Sequence, residues 1–230
     1  MMSIFDFMPY MIGGPLILSL ALATYAYNRK EPAGISFSAF FFLWGLVFSL
    51  FPFMFFAESP ESALMLFRIM TSLLAFIPFF YLMGIIDIVK GKYPARKLHF
   101  TLFFILSLAI FLSLFLFPDT IGVEFKEGIY HGTFSLQSAN VTLLSSLFYI
   151  IIPSVYLLGS TGKMELELRI RARGTIAAYI GVDVFYIIEV YLAAYKNYGY
   201  VHISNAFIVM GAYAIYYFLI MRRVYYGSPA

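Results

Sequence analysis

Seven long apolar stretches, separated by loops that hold most of the charge, constrain this chain more than any other feature. They cover about 8–27, 36–57, 62–89, 98–117, 137–158, 174–195 and 205–221. A helix needs about 20 apolar residues to cross roughly 30 Å of hydrocarbon, and each stretch is near that length. Of the 230 residues, 62% are hydrophobic and 12% are charged, against about 45–50% and about 25% in soluble domains. A water-facing fold cannot cover so much apolar surface with so few charges. The sequence therefore predicts an all-α membrane protein: a single seven-transmembrane helix bundle over residues 1–230, multi-pass, in the cell membrane. The lipid bilayer is its first partner.

The loops predict its orientation. After the first, third and fifth stretches stand Arg29 and Lys30; Lys90, Lys92, Arg96 and Lys97; and Lys163, Arg169, Arg171 and Arg173. Arg222 and Arg223 follow the seventh stretch. The opposite loops hold Lys126 and Lys196, with acidic Glu58, Glu61, Asp119, Glu124 and Glu127. Basic loops mark the cytoplasmic side, so the N-terminus is expected outside and the C-terminus in the cytoplasm. Met1–Met8 carries Asp6 and no Lys or Arg, which favours a retained first span over a cleaved signal. Tyr25, Tyr27, Tyr225 and Tyr226 are expected in the interfacial aromatic belts.

Several functions drop out on composition. A net charge of +3 with no dense basic run argues against nucleic acid. No cysteine is present, so disulfides, thiolate catalysis and Cys-ligated metals are excluded. His99, His131 and His202 are scattered along the chain and predict no metal site. No Gly-x-Ser-x-Gly motif or pair of catalytic aspartates occurs, so no enzyme is expected. A retinal Schiff base needs a lysine inside the last span; about 205–221 has none, and no cofactor is expected. Receptor signatures of the Asp-Arg-Tyr and Asn-Pro-x-x-Tyr type are also absent, as is the Pro-Gln pair of small exporters.

Proline and glycine shape the spans. Pro15, Pro52, Pro78 and Pro153 each remove a backbone hydrogen bond, which predicts kinks. Gly13, Gly14, Gly84, Gly181 and Gly211 are expected where helices approach closely. Between the fourth and fifth spans, Ile121-Gly-Val-Glu-Phe125 alternates apolar and polar residues. Lys126-Glu-Gly128 supplies a turn and Ile129-Tyr-His-Gly132 a return strand, which together predict a short extracellular β-hairpin.

Charges inside spans are costly and usually face the bundle interior. Asp183 falls about 14 Å into the sixth span from its cytoplasmic start, near the midplane. Arg68 and Glu189 each lie about 9 Å below the outer surface, so they are expected to pair. Arg68 shares a helix face with Thr71 and Ser72, and Asp183 shares one with Tyr179 and Tyr186. The fifth span adds Asn140, Ser145 and Ser146; the seventh adds Tyr213 and Tyr217. The candidate ligand-binding residues are Arg68, Ser72, Asn140, Asp183, Tyr186, Glu189 and Tyr213, lining an outward-facing polar cavity for an unknown small ligand or lipid. A register-fixing polar network and an ion or proton path remain open alternatives. Asp87, beside a basic loop, is expected to be a solvated charge.

The chain resembles the seven-transmembrane N-terminal sensory region of histidine kinases and related signalling proteins. The matching residues are Tyr25-Ala-Tyr-Asn-Arg-Lys30, Leu43-Trp44, Glu61 through Arg68, Ala75-Phe-Ile-Pro78, Gly132-Thr-Phe134 and Arg222-Arg223. The resemblance implies a sensor whose seventh helix passes a conformational change to a cytoplasmic signalling partner. It also implies an output domain, and no phosphoacceptor helix or ATP-binding motif occurs up to Ala230. An excised sensory region and a free-standing protein are both compatible with that. A small transporter or channel using an intramembrane carboxylate is the alternative function.

Overall fold

A computed structural model describes residues 4–90, 96–116, 120–160 and 166–221. Lys92, Asp119, Lys163, Arg222, Arg223, Tyr225 and Tyr226 lie outside the described residues. Seven helical spans are long and apolar enough to cross a membrane: Met8–Tyr27, Pro32–Phe55, Pro60–Val89, Arg96–Leu116, Leu136–Gly159, Arg169–Ala194 and Tyr200–Leu219. The elements are α1 (Ile4–Met11), α2 (Gly13–Asn28), α3 (Pro32–Phe55), α4 (Pro60–Leu73), α5 (Ile77–Lys90) and α6 (Arg96–Leu116). Then come β1 (Ile121–Lys126), β2 (Ile129–Phe134), α7 (Leu136–Ser160), α8 (Leu166–Ala194) and α9 (Tyr198–Tyr216), closed by a π-helical turn at Tyr217–Met221.

Two prolines account for the spans that are split. Pro15 has no N–H to return to the Met11 carbonyl, and the first span divides there into α1 and α2. Pro78 does the same to the Leu74 carbonyl and separates α4 from α5. The chain crosses that gap on tight turns, Ala75 N to Ser72 O at 3.1 Å and Phe76 N to Leu73 O at 3.0 Å. Pro52 and Pro153 stay inside α3 and α7. At the start of α4, Ser59 caps the helix by accepting from Ser62 N at 3.2 Å, with Pro60 in the first turn.

α3 is the central post, packed on α1, α2, α4, α5 and β2. Its Phe40, Phe41, Trp44, Val47 and Phe48 are all buried. Lipid tails are as apolar as these side chains, so close packing rather than apolar burial holds such helices together. Gly14 and Gly45 provide it between α2 and α3. A Cβ on Gly14 would sit 2.7 Å from Ser49 N, and one on Gly45 2.7 Å from Leu18 N. Gly181 does not serve this purpose: nothing lies within 4 Å of where its Cβ would be. Its side of α8 has no helix against it there, which periodicity alone could not reveal.

β1 and β2 pair antiparallel from Ile121↔Phe134 to Lys126↔Ile129. The two turn residues, Glu127 at φ 55 and Gly128 at φ 90, are both left-handed, as a tight hairpin turn requires. The strands lie on α3, α4 and α8. Ile121 and Ile129 are buried, and Phe134 meets Phe67 of α4 at 5.4 Å between ring centroids. Gly132 allows this seat, because any Cβ there would collide with the Phe67 ring.

α6 stands apart. Ser107 is its buried residue, and the Ser107 hydroxyl hydrogen-bonds that of Tyr149 in α7 at 2.6 Å. At its head, Arg96 reaches back to Asp87 of α5, with Nε at 2.7 Å from Oδ1 and Nη2 at 3.0 Å from Oδ2. Ser36 adds a 3.3 Å bond to Oδ2. Asp87 is thus a buried, 5% exposed carboxylate rather than a solvated one. The correction has a tertiary cause: Arg96, at the start of α6, faces the carboxylate across the two helices.

Candidate functional site

α8 builds the site. Tyr179, Asp183 and Tyr186 are spaced by four and three residues and so share one helix face; Glu189 follows one turn further. Tyr179 is fixed from below by Tyr81 of α5, the rings stacked at 3.7 Å and 8°. Opposite this face are Trp44 and Phe48 of α3, the Pro78 break in span three, and Ser145 and Ser146 of α7. Between them lies a cavity of about 860 Å³, its open mouth included, which Asp183, Tyr186 and Glu189 all line. The turn at 74–76 and the start of α5 carry Leu74, Ala75, Ile77 and Pro78 into the same wall. Non-helical backbone at membrane depth is tolerated where protein or a cavity covers it.

The two carboxylates differ. Asp183 is 7% exposed; Ser146 hydrogen-bonds it, and its Oδ2 has no partner. Glu189 Oε1 accepts from Asn205 Nδ2 at 3.0 Å. Asn205 also donates to the Tyr10 hydroxyl at 2.7 Å, which lies 3.1 Å from His202 Nδ1. With its oxygen accepting from Asn205, Tyr10 has its proton free for that ring nitrogen. A polar chain thus runs from the cavity through α9 to α1.

Glu189 also lines a second, smaller cavity of about 340 Å³ beneath the hairpin, with Phe67, His131, Phe134, Tyr198 and His202. Over it His131 stacks on Tyr198 at 4.2 Å and 20°. The Tyr198 hydroxyl donates to Glu124 of β1 at 2.7 Å, and Lys196 lies 3.4 Å from the same carboxylate. That hydroxyl bond, helped by Lys196, holds the Glu124 carboxyl below its ordinary range. Burial pushes the His131 ring below its usual value.

The candidate residues do not all converge. Asp183, Tyr186 and Glu189 line the large cavity, joined by Ser145 and Ser146, whereas Arg68, Ser72, Asn140 and Tyr213 are not among its walls. Among the described residues, no ion pair joins Arg68 to Glu189; the carboxylate takes Asn205 instead. A shared depth was the basis for pairing them, and depth says nothing about which side of a helix faces which neighbour. Ser72 is fully buried in α4 without a partner for its hydroxyl. Asn140 is exposed and accepts from Tyr191 at 2.6 Å, and Tyr213 reaches Ser19 of α2. The cavity also uses α3 and α6, through Trp44, Ile110 and Leu114.

Sequence reasoning missed Tyr10, Asn205 and His202. A usable signal was present, since His202 and Asn205 are three residues apart on one face of an apolar helix. Among the described residues no group of three or more His, Asp or Glu is placed to hold a metal ion. No family model matches the sequence, and no curated protein matches it.

Proposed function

We propose that this chain is a multi-pass membrane sensor, receptor-like, which receives a small ligand or lipid in the Asp183 cavity. Its N-terminus and hairpin face outward, its basic loops face the cytoplasm, and it acts on a cytoplasmic signalling partner. The observation that carries the reading is the double duty of α8. One helix presents Asp183 and Glu189 to the cavity and Arg171 to the end of the seventh span. Arg171 Nε donates to the Phe218 carbonyl at 3.0 Å, and its Nη2 donates to Leu219 O. These carbonyls belong to the π-helical turn at Tyr217–Met221, so a displacement of α8 is handed directly to the tail. The resemblance to histidine-kinase sensory regions, with their signalling seventh helix, supports the same direction of transfer.

A spin label tests it, because the chain has no cysteine of its own. With Tyr217→Cys labelled, Asp183→Asn is expected to change label mobility, and Arg171→Gln is expected to abolish that response. An unchanged spectrum on Asp183→Asn would sink the transmission reading.

A second reading, a small transporter with Asp183 as the coupling carboxylate, is favoured by the Pro78 break beside the cavity. Broken helices next to midplane carboxylates are a transporter device. Proton-dependent flux in proteoliposomes that vanishes in Asp183→Asn would select this reading instead.

A further inference from the structure

We propose that the cavity on α8 takes an apolar organic cation, a ring-bearing amine whose ammonium group meets Asp183 between aromatic walls. The inference deepens the sensory reading and rests on it.

Three observations select this chemistry. First, Asp183 is more than nine-tenths buried, lines the cavity, and leaves Oδ2 without a hydrogen bond. A buried carboxylate oxygen left unpaired is costly unless a cation or proton joins it. Second, among the described residues no Lys, Arg or His lines this cavity. An anion would therefore meet two carboxylates and no compensating charge. Third, rings make up a large share of the apolar wall: Trp44, Phe48 and Phe51 of α3, Tyr149 of α7, and Tyr179 and Tyr186 of α8. Aromatic faces attract an ammonium ion within about 6 Å of the ring centroid.

An inorganic cation fits poorly. Ca²⁺ takes about 6–8 oxygen ligands, whereas Glu189 is engaged by Asn205 and the Ser145 hydroxyl is turned back to the Thr142 carbonyl at 2.8 Å. A neutral lipid tail would suit the rings but leave Oδ2 unmet. An amine carrying an aromatic or aliphatic body satisfies both.

The chain contains its own reporter. Its single tryptophan is Trp44, and that residue lines the cavity. The full chain in detergent or nanodiscs is titrated with phenethylamine, phenethyl alcohol and phenylacetate, which share one body and differ in charge. Trp44 emission is expected to change saturably with the amine, at an apparent Kd at least about 10-fold below that of the alcohol. Phenylacetate is expected to give no saturable change. Asp183→Asn is expected to remove the preference for the amine while the alcohol still binds, which also shows that the variant is folded.

An alcohol that matches the amine, or an Asp183→Asn variant that keeps the preference, overturns the cation inference and leaves the sensory reading standing. If none of the three probes changes Trp44 emission saturably, the cavity takes no ring-bearing amine and the cation inference falls, while the sensory reading, which also admits a lipid, is decided by the spin-label response.

Discussion

Asp87 and Asp183 are almost equally buried, at 5% and 7% exposure, yet the two regions treat them in opposite ways. Asp87 is gripped by both arms of Arg96 and touched by Ser36, so every side of its charge is answered. Asp183 has Ser146 as a partner and leaves its buried Oδ2 without a hydrogen bond. Burial alone therefore does not mark a functional carboxylate. What separates the two is whether the fold has finished pairing the group, and an unfinished pairing is where a ligand or proton gains its hold.

The largest test of this contrast is Arg96→Ala. It strands Asp87 with a charge and a single hydroxyl partner, and a stability loss of about 3 kcal/mol is expected in thermal or chemical denaturation. Asp183→Asn should go the other way, holding stability constant or raising it by about 1 kcal/mol, since it removes an ill-matched charge from the cavity wall. A loss as large as that of Arg96→Ala would break the comparison by making Asp183 a structural group.

The smallest effect is expected at His131, outside the membrane. Burial lowers its folded-state pKa below the ordinary 6.5, so between those two values the unfolded chain binds more protons than the folded one. Stability is then complete above about pH 6.5 and erodes as the pH falls below it. Melting temperature should be lower at pH 5.5 than at pH 7.5, and His131→Gln should shrink that difference. Glu124 acts in a lower window: its depressed pKa costs stability only as the pH falls below the ordinary carboxylate range. An unchanged pH response in His131→Gln would move the pH sensitivity elsewhere.

Much of this was legible from residue order. The seven spans follow from length and hydropathy, and the break at Pro78 follows from a missing N–H. Asp183 stood out as a charge near the midplane. Ser146 stood among the polar residues of the fifth span, but which of them meets Asp183 depends on helix rotation. Arg68 shows the same limit: among the described residues no ion pair joins it to Glu189, and Asn205 takes that carboxylate from α9. Gly45 and Gly181 trade the roles that spacing alone suggests. Such choices are made by helix-on-helix packing, which a single chain of letters records only as composition.

α6 gives the cavity a seam. Its Ile110 and Leu114 form part of the wall, while along its length Ser107 alone is buried among the described residues. Hydrocarbon chains can take over most of what its exposed side chains touch at little cost, so α6 is held chiefly by the Arg96–Asp87 pair at its head and by the bond between Ser107 and Tyr149. Apart from Ser107 its side chains are half-buried or exposed, so this wall of the cavity borders lipid. On the sensory reading, a molecule that binds Asp183 then has an entry that never passes the hairpin: it dissolves in the bilayer first and comes in beside α6.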